Sequence, residues 1–310
     1  MTTAHASFDV LPRDLSPYKS GNTGIDYVHR FDSGRPGPHV MVNALTHGNE
    51  FCGMVAACHL LDTAVRPKIG ILTVSFANVA AYQSFDVADP FASRQIDHNL
   101  NRIWSDAWLD GDEDSVELRR AREMRPAVTA ADHILDIHST SADVAPFWVY
   151  PDHARNATVA MALPQPAVHL VMPSGLGSGT PLIQHGPHGK ADGPGAAMVV
   201  ECGQHFKQAT ADLAVAVTCD FLGHFGLLDH VPTKVAGQRR FELLRTHVIA
   251  NTEFAFTRPV VGFETFARDE LIATDGDLEI RAPCDDCTIF MPARKAIVGR
   301  EGVYLTRPIA

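Results

Sequence analysis

Apolar positions along this chain fall into two textures. Between residues 38 and 230, short unbroken apolar runs alternate with longer stretches in which apolar residues recur at helical spacing. Residues 40–45, 69–76 (IGILTVSF), 131–137 (ADHILDI), 144–150, 167–172 and 196–200 (AAMVV) read as strands, and 25–31 as a short edge strand. Continuous β-branched runs are typical of strands covered on both faces. Residues 53–61, 113–129 and 211–228 read as helices, the first of them stopped by Pro67. This alternation predicts an α/β fold with a largely parallel sheet flanked by helices. From about Gly237 the runs shorten, and 248–249, 254–256, 260–263, 278–281, 288–291 and 303–305 read as strands parted by turns at Asp275-Gly276 and Pro283. The expected division is a catalytic domain over 1–235 and a small all-β domain over 236–310.

Polar residues interrupt this pattern at chosen places. Open α/β sheets put their sites in the crevice beyond the C-terminal ends of the strands. The first run ends in MVNALTHGNE, with His47 and Glu50; the third ends in DIHST, with His138; AAMVV ends at Glu201. His-x-x-Glu alone is a weak signal, and the repetition of a polar residue at three strand ends is what carries the reading. Two histidines and a carboxylate, two close together and one distant, form the donor set of a catalytic zinc with a position left open for water. Other divalent ions suit the same donors. Glu201, a second glutamate nearby, can act as general base on that water. Residues 78–104 are polar and aperiodic, and a loop of that length within a compact domain is usually functional. It carries Arg94, Asp97, Asn99, Asn101 and Arg102 in SRQIDHNLNRIW. Guanidinium groups bind carboxylates through two parallel bonds, and near a metal they stabilise an oxyanion.

Composition narrows the field. With 310 residues, 45% of them apolar and 20% charged, the chain suits one large domain or two. A net charge of -10 argues against a nucleic-acid binder, which needs clustered Lys and Arg. No run approaches the roughly 18 apolar residues of a transmembrane helix, and residues 1–20 lack the apolar core of a secretory signal. Six scattered cysteines form no disulfide framework, which makes a reducing cytoplasm the default compartment. Cys284 and Cys287 have CxxC spacing without a second pair and read as turn thiols. A homo-oligomer is left open.

The set His47-Gly48-Asn49-Glu50, Arg94 through Asn101-Arg102, Asp136-Ile137-His138 and Glu201-Cys202-Gly203 resembles the succinylglutamate desuccinylase/aspartoacylase family, over roughly residues 38–310. The resemblance implies a zinc carboxypeptidase-like fold and one zinc ion per chain, held by His47, Glu50 and His138. It implies that zinc-bound water is activated by Glu201, which later protonates the leaving amine, and that Arg94 polarises the scissile carbonyl. Asn101 and Arg102 would grip a substrate carboxylate, and Asp136 would orient an imidazole. The family pattern Asp-x-Asp-Leu-Asn-Arg is here Asp97-His98-Asn99-Leu100-Asn101-Arg102, so Asn99 replaces an acid. The arginine that grips an acyl-side carboxylate in aspartoacylases is missing, with Lys190 as the nearest stand-in. Its loss favours an acyl group without a carboxylate, such as acetyl. The family's β-domain tyrosine has no clear counterpart, Tyr304 being the only candidate. The expected activity is deacylation of a small N-acyl amino acid or related amine. The alternatives are a zinc carboxypeptidase acting on C-terminal residues and a non-catalytic small-molecule binding module with a degenerate site.

Overall fold

The computed structural model describes residues 7–175, 178–233 and 236–310. Residue 235, on one side of the expected domain boundary, lies outside them. The chain begins with β1 (Val28–Asp32), β2 (His39–Ala44), α1 (Phe51–Asp62), β3 (Ile71–Phe76) and the short α2 (Val79–Gln83). After an irregular stretch come α3 (Asp106–Leu109), α4 (Val116–Ala130), β4 (His133–Thr140), β5 (Phe147–Pro151), α5 (Ala154–Ala162) and β6 (Val168–Met172). Then follow β7 (Ala197–Gln204), α6 (Gln208–His224) and β8 (Arg239–Val248). The remaining strands are β9 (Ala255–Phe256), β10 (Thr265–Phe266), β11 (Leu271–Asp275), β12 (Leu278–Arg281), β13 (Cys287–Phe290) and β14 (Glu301–Ile309).

Eleven strands form one sheet in the order β1-β3-β2-β4-β7-β5-β6-β8-β14-β13-β10. The central strands β3, β2, β4 and β7 are parallel. β1 lies antiparallel on the edge, and β5 runs antiparallel to β7. The sheet is therefore mixed, with a parallel centre. Successive β2 residues point to opposite faces: Val40, Val42 and Ala44 join one core with α1 and α6, and Met41 joins the other with α4. Each fully buried Val or Leu in these layers contributes about 1.5–3 kcal/mol, so the unbroken apolar runs are what fix the central strands.

The C-terminal strands divide between two sheets, and two elements differ from those expected. β8 and β14 pair with each other and, through β6, extend the parallel-centred sheet. Only β9, β11 and β12 make a separate sheet, although the C-terminal region does have its own apolar cluster around Ile272, Ile280 and Ile289. β8 escapes a search for apolar runs because its sequence, RRFELLRTHV, alternates between buried and accessible positions. Residues 260–263 are not a strand, since Gly262 and Phe263 have φ of 141° and 72°, which breaks the extended backbone. α5 is an additional helix, and at nine residues (ARNATVAMA) it is too short for a sustained periodic stretch to announce it. Among the described residues no helix is long and apolar enough to cross a membrane.

Candidate active site

Two turns and one register bring the strand ends together. Where β2 ends, Leu45 is fully buried with φ of 58°, an uncommon backbone state for a non-glycine residue, held in part by Asn78 N–H donating to its carbonyl at 2.8 Å. This bend leads to His47 and Glu50 just before α1. Gly48 lets α2 approach: a Cβ there would lie 2.4 Å from the Ala81–Tyr82 backbone and the Ser93 carbonyl. In β4, Asp136 and His138 are two residues apart and so share a face. Glu201 on β7 pairs with His138 in the β4–β7 register.

His47, Glu50 and His138 are buried, and one donor atom from each lies within 4.8 Å of the others. His47 Nδ1 is 2.8 Å from Glu50 Oε1 and His138 Nδ1 is 2.9 Å from Glu50 Oε2. The second contact is close but not aligned as a hydrogen bond, leaving Glu50 Oε2 without a hydrogen-bond partner. The far edges of both rings are held by oxygens that only accept. His47 Nε2 donates to Asn99 Oδ1 at 2.9 Å, and His138 Nε2 donates to Asp136 Oδ2 at 2.8 Å. With Nε2 protonated in this way, each ring would present Nδ1 as a ligand to an ion held in the cluster. Asp136 Oδ1 accepts from Asn43 and Thr46, both at 2.8 Å. Three donors converging on one point, with an orphaned carboxylate oxygen among them, fit a divalent ion.

Glu201 is buried beside this cluster, and its Oε2 has no hydrogen-bond partner. Burial pushes its carboxyl up to about 8, against the pull of His138 and Arg94 and with the push of Glu50 and Asp136. A carboxyl poised near neutrality suits proton transfer in both directions. Burial pushes Glu50 up as well, but the neighbouring His47 and His138 imidazoles outweigh it and hold that carboxyl well below the usual carboxylate range.

The loop residues approach from the side. Arg94, in a 3-10 turn over Ala92–Arg94, has Nη1 3.4 Å from Glu50 Oε1, and its carbonyl accepts from Gly48 N–H at 3.1 Å. Asn101 Oδ1 accepts from Leu182 N–H at 3.1 Å. Arg102 meets an internal carboxylate: its Nη2 is 2.8 Å from Glu301 Oε1 on β14, and its Nε is 3.2 Å from Ser178 Oγ. The loop itself is pinned from α4. Glu117 is fully buried and accepts from the backbone N–H of Ile96 at 2.7 Å, of Asp97 and His98 at 3.0 Å each, and from Asn78 Nδ2 at 3.0 Å.

Lys190 does not join the site. Its carbonyl accepts from Arg155, whose Nε also holds Gly195 O beside Asp132 and His133, at the N-terminal ends of β4 and β7. Glu201 and His138 lie at the opposite ends of those strands. Closeness in sequence across a Gly/Pro-rich loop does not translate into closeness in the fold. The site also gathers Tyr304, the tyrosine singled out from the sequence, and residues that no motif marks. Tyr304 on β14 is buried near Glu301 and Arg102, and burial pushes its phenol up to about 12. His205 is buried beside Ser139, its Nδ1 2.8 Å from the hydroxyl, with Phe91 against its ring. Arg294, from the β13–β14 connection, lies over Phe91 and donates to the Ser141 carbonyl at 3.0 Å. Glu117 and Glu301 look like ordinary solvated acids in sequence, and no local signal distinguishes them.

Comparison with known proteins adds an independent view. Residues 36–180 match the model of the succinylglutamate desuccinylase/aspartoacylase catalytic domain. A human N-acyl-aromatic-L-amino acid amidohydrolase (carboxylate-forming) is 31% identical over 118 residues, 34% of this chain and 34% of that protein. The rat protein of that name is 32% identical over 123 residues, 36% of each chain. The chain thus matches only about a third of the length of these curated relatives. The fold is similar to succinylglutamate desuccinylase from Vibrio cholerae, 20% identical with a TM-score of 0.69, covering 91% of this chain and 86% of that one. It is also similar to an ectoine utilization protein from Ruegeria pomeroyi, 16% identical with a TM-score of 0.65, covering 91% and 88%.

Proposed function

The chain belongs to the succinylglutamate desuccinylase/aspartoacylase family, and from that premise we propose that it is a zinc-dependent hydrolase of small N-acyl amino acids. The observation that carries this reading is the convergence of His47 Nδ1, Glu50 and His138 Nδ1 beside the unpartnered carboxyl of Glu201. His47, Glu50 and His138 would hold the ion, which when bound supplies Lewis acidity and acidifies water. Glu201 removes a proton from the attacking water as its oxygen adds to the acyl carbon. It then delivers that proton to the nitrogen as the C–N bond breaks, leaving an amine and a carboxylic acid, whose proton passes to the amine to give carboxylate and ammonium. Arg94, next to Glu50, stabilises the negative charge that develops on the carbonyl oxygen. Asp136 and Asn99 keep the two imidazoles oriented throughout.

Two observations favour a short, uncharged acyl group such as acetyl. Arg94 and Arg102 already face Glu50 and Glu301, and Lys190 lies at the far end of the sheet. No guanidinium near the ligands is thereby left over for an acyl-side carboxylate among these three positions. For the amine half, the partly buried Phe91 ring under the Arg294 guanidinium offers an aromatic and cationic surface near His205. An N-acetylated aromatic amino acid would match it, in keeping with the name of the human relative. The test is hydrolysis of N-acetyl and N-succinyl derivatives of aromatic, aliphatic and acidic amino acids by zinc-loaded enzyme. The expected order puts N-acetyl aromatic substrates first; faster turnover of N-succinyl substrates overturns the assignment of the acyl group, and no turnover of any overturns the activity.

A further inference from the structure

The two histidines of the cluster are held alike in geometry and unlike in charge. His138 Nε2 faces the Asp136 carboxylate at 2.8 Å, and His47 Nε2 faces the Asn99 carboxamide at 2.9 Å. Both arrangements fix the same tautomer. They differ in what they send through the ring: a carboxylate behind an imidazole raises its basicity as a ligand, and a neutral amide does so less. We infer that Asn99 is a positioning residue that makes His47 the weakly donating ligand and so loosens this site's hold on its metal.

Three further contacts support this asymmetry. Asn99 Oδ1 also accepts from Asn101 N–H at 2.9 Å. That bond fixes the amide oxygen-first, since a flipped side chain would set its NH2 against two donors. It also divides the oxygen's capacity between two N–H groups, which weakens what reaches His47. Asp136 has no such shortage of charge, because its second oxygen takes the bonds from Asn43 and Thr46 while the first serves His138 alone. The third ligand is drained as well, with the Arg94 guanidinium 3.4 Å from Glu50 Oε1. Of the three donors, only His138 is backed by negative charge. Asn99 therefore preserves the shape of a strongly ligating pair while withholding its charge, and the predicted property is an ion that exchanges more readily than the donor set alone suggests.

The inference rests on the metal-site reading above, and its test separates the two. Zinc affinity is measured without substrate, by competition against a chromogenic chelator at pH 8 to 9, where protons compete least for the imidazoles. Asn99→Asp should tighten apparent zinc affinity about 10-fold and slow release, and the reciprocal Asp136→Asn should weaken it by about 10- to 100-fold. Unchanged or weaker binding in a folded Asn99→Asp protein overturns the inference while leaving the metal site standing. Should the metal-free Asn99→Asp protein melt below wild type, Asn99→Leu carries the test: it removes the acceptor and should weaken binding at least 10-fold, and unaltered affinity overturns the inference. If neither wild type nor Asn99→Asp takes up zinc, the metal reading itself falls, and this inference with it.

Discussion

The candidate site has two halves built on different principles. The strand-end half comprises His138 and Glu201, set opposite each other by the β4–β7 register, with His47 and Glu50 at the β2–α1 turn. Its backbone is fixed by ladders of hydrogen bonds buried on both faces of the sheet. The loop half, carrying Arg94, Asn99, Asn101 and Arg102, has only 3-10 turns over Ala92–Arg94 and Leu100–Arg102. It is held by two carboxylates that reach in from elsewhere, Glu117 of α4 and Glu301 of β14. The first half takes its precision from many cooperative bonds and the second from a few side chains. The proposed ligands and base, with Asp136 behind His138, sit on or beside the sheet, whereas Arg94 and Asn99 sit on the loop, where single substitutions can move them.

Removing chemistry from the rigid half should have the largest effect. Glu201→Gln keeps the shape of the side chain and removes the proposed base, so turnover should fall by about 10²- to 10⁴-fold with zinc content unchanged. Stopped assays alongside metal analysis check this, and near-normal turnover would remove Glu201 from the mechanism. Glu117→Ala probes the other half without touching the cluster. Four N–H donors lose their acceptor. Unsatisfied buried donors cost about 1–3 kcal/mol each, so the loop should shift until water reaches them. We expect turnover to fall by about 100-fold, the scale of an ångström-sized misplacement, and limited proteolysis to reveal new cleavage between residues 84 and 98. A protected loop with full activity would show that Glu117 is not its anchor.

The contrast also explains how far the sequence alone can be read. The proposed ligands and base stand at the ends of unbroken apolar runs, where periodicity and strand order place them together, so His47, Glu50, His138 and Glu201 are legible from the amino-acid pattern. The loop residues are legible too, but their neighbours are not. Nothing local distinguishes Glu117, buried under the loop, from the exposed acids around it, because its burial depends on where a distant segment folds. β8 is hidden because a half-covered strand does not form an apolar run. Lys190 falls at the wrong end of the sheet because it precedes the start of β7 while Glu201 lies farther along that strand. Tyr304 and Glu301 enter the site only because β14 joins the same sheet through β8, a long-range pairing that no short motif encodes.

The smallest expected effect concerns the second anchor, Glu301. Burial opposes its charge, but the Arg102 guanidinium and the Ser178 hydroxyl hold its carboxyl down to about 2, below the 4.5 of an unperturbed glutamate. An acid whose folded value is depressed contributes stability that is complete above the unfolded value and is lost as pH falls towards the folded one. The Arg102–Glu301 pair should therefore help hold the loop to β14 at neutral pH and fail progressively between about pH 4.5 and 2. With both side chains about a quarter exposed, solvent screening reduces the contribution, and about 1–2 kcal/mol is expected near pH 6. Glu301→Gln should be less stable than wild type by that amount at pH 6 in urea unfolding, and the difference should shrink as pH is lowered to 3. A difference that persists undiminished would show that Glu301 acts through packing rather than through its charge.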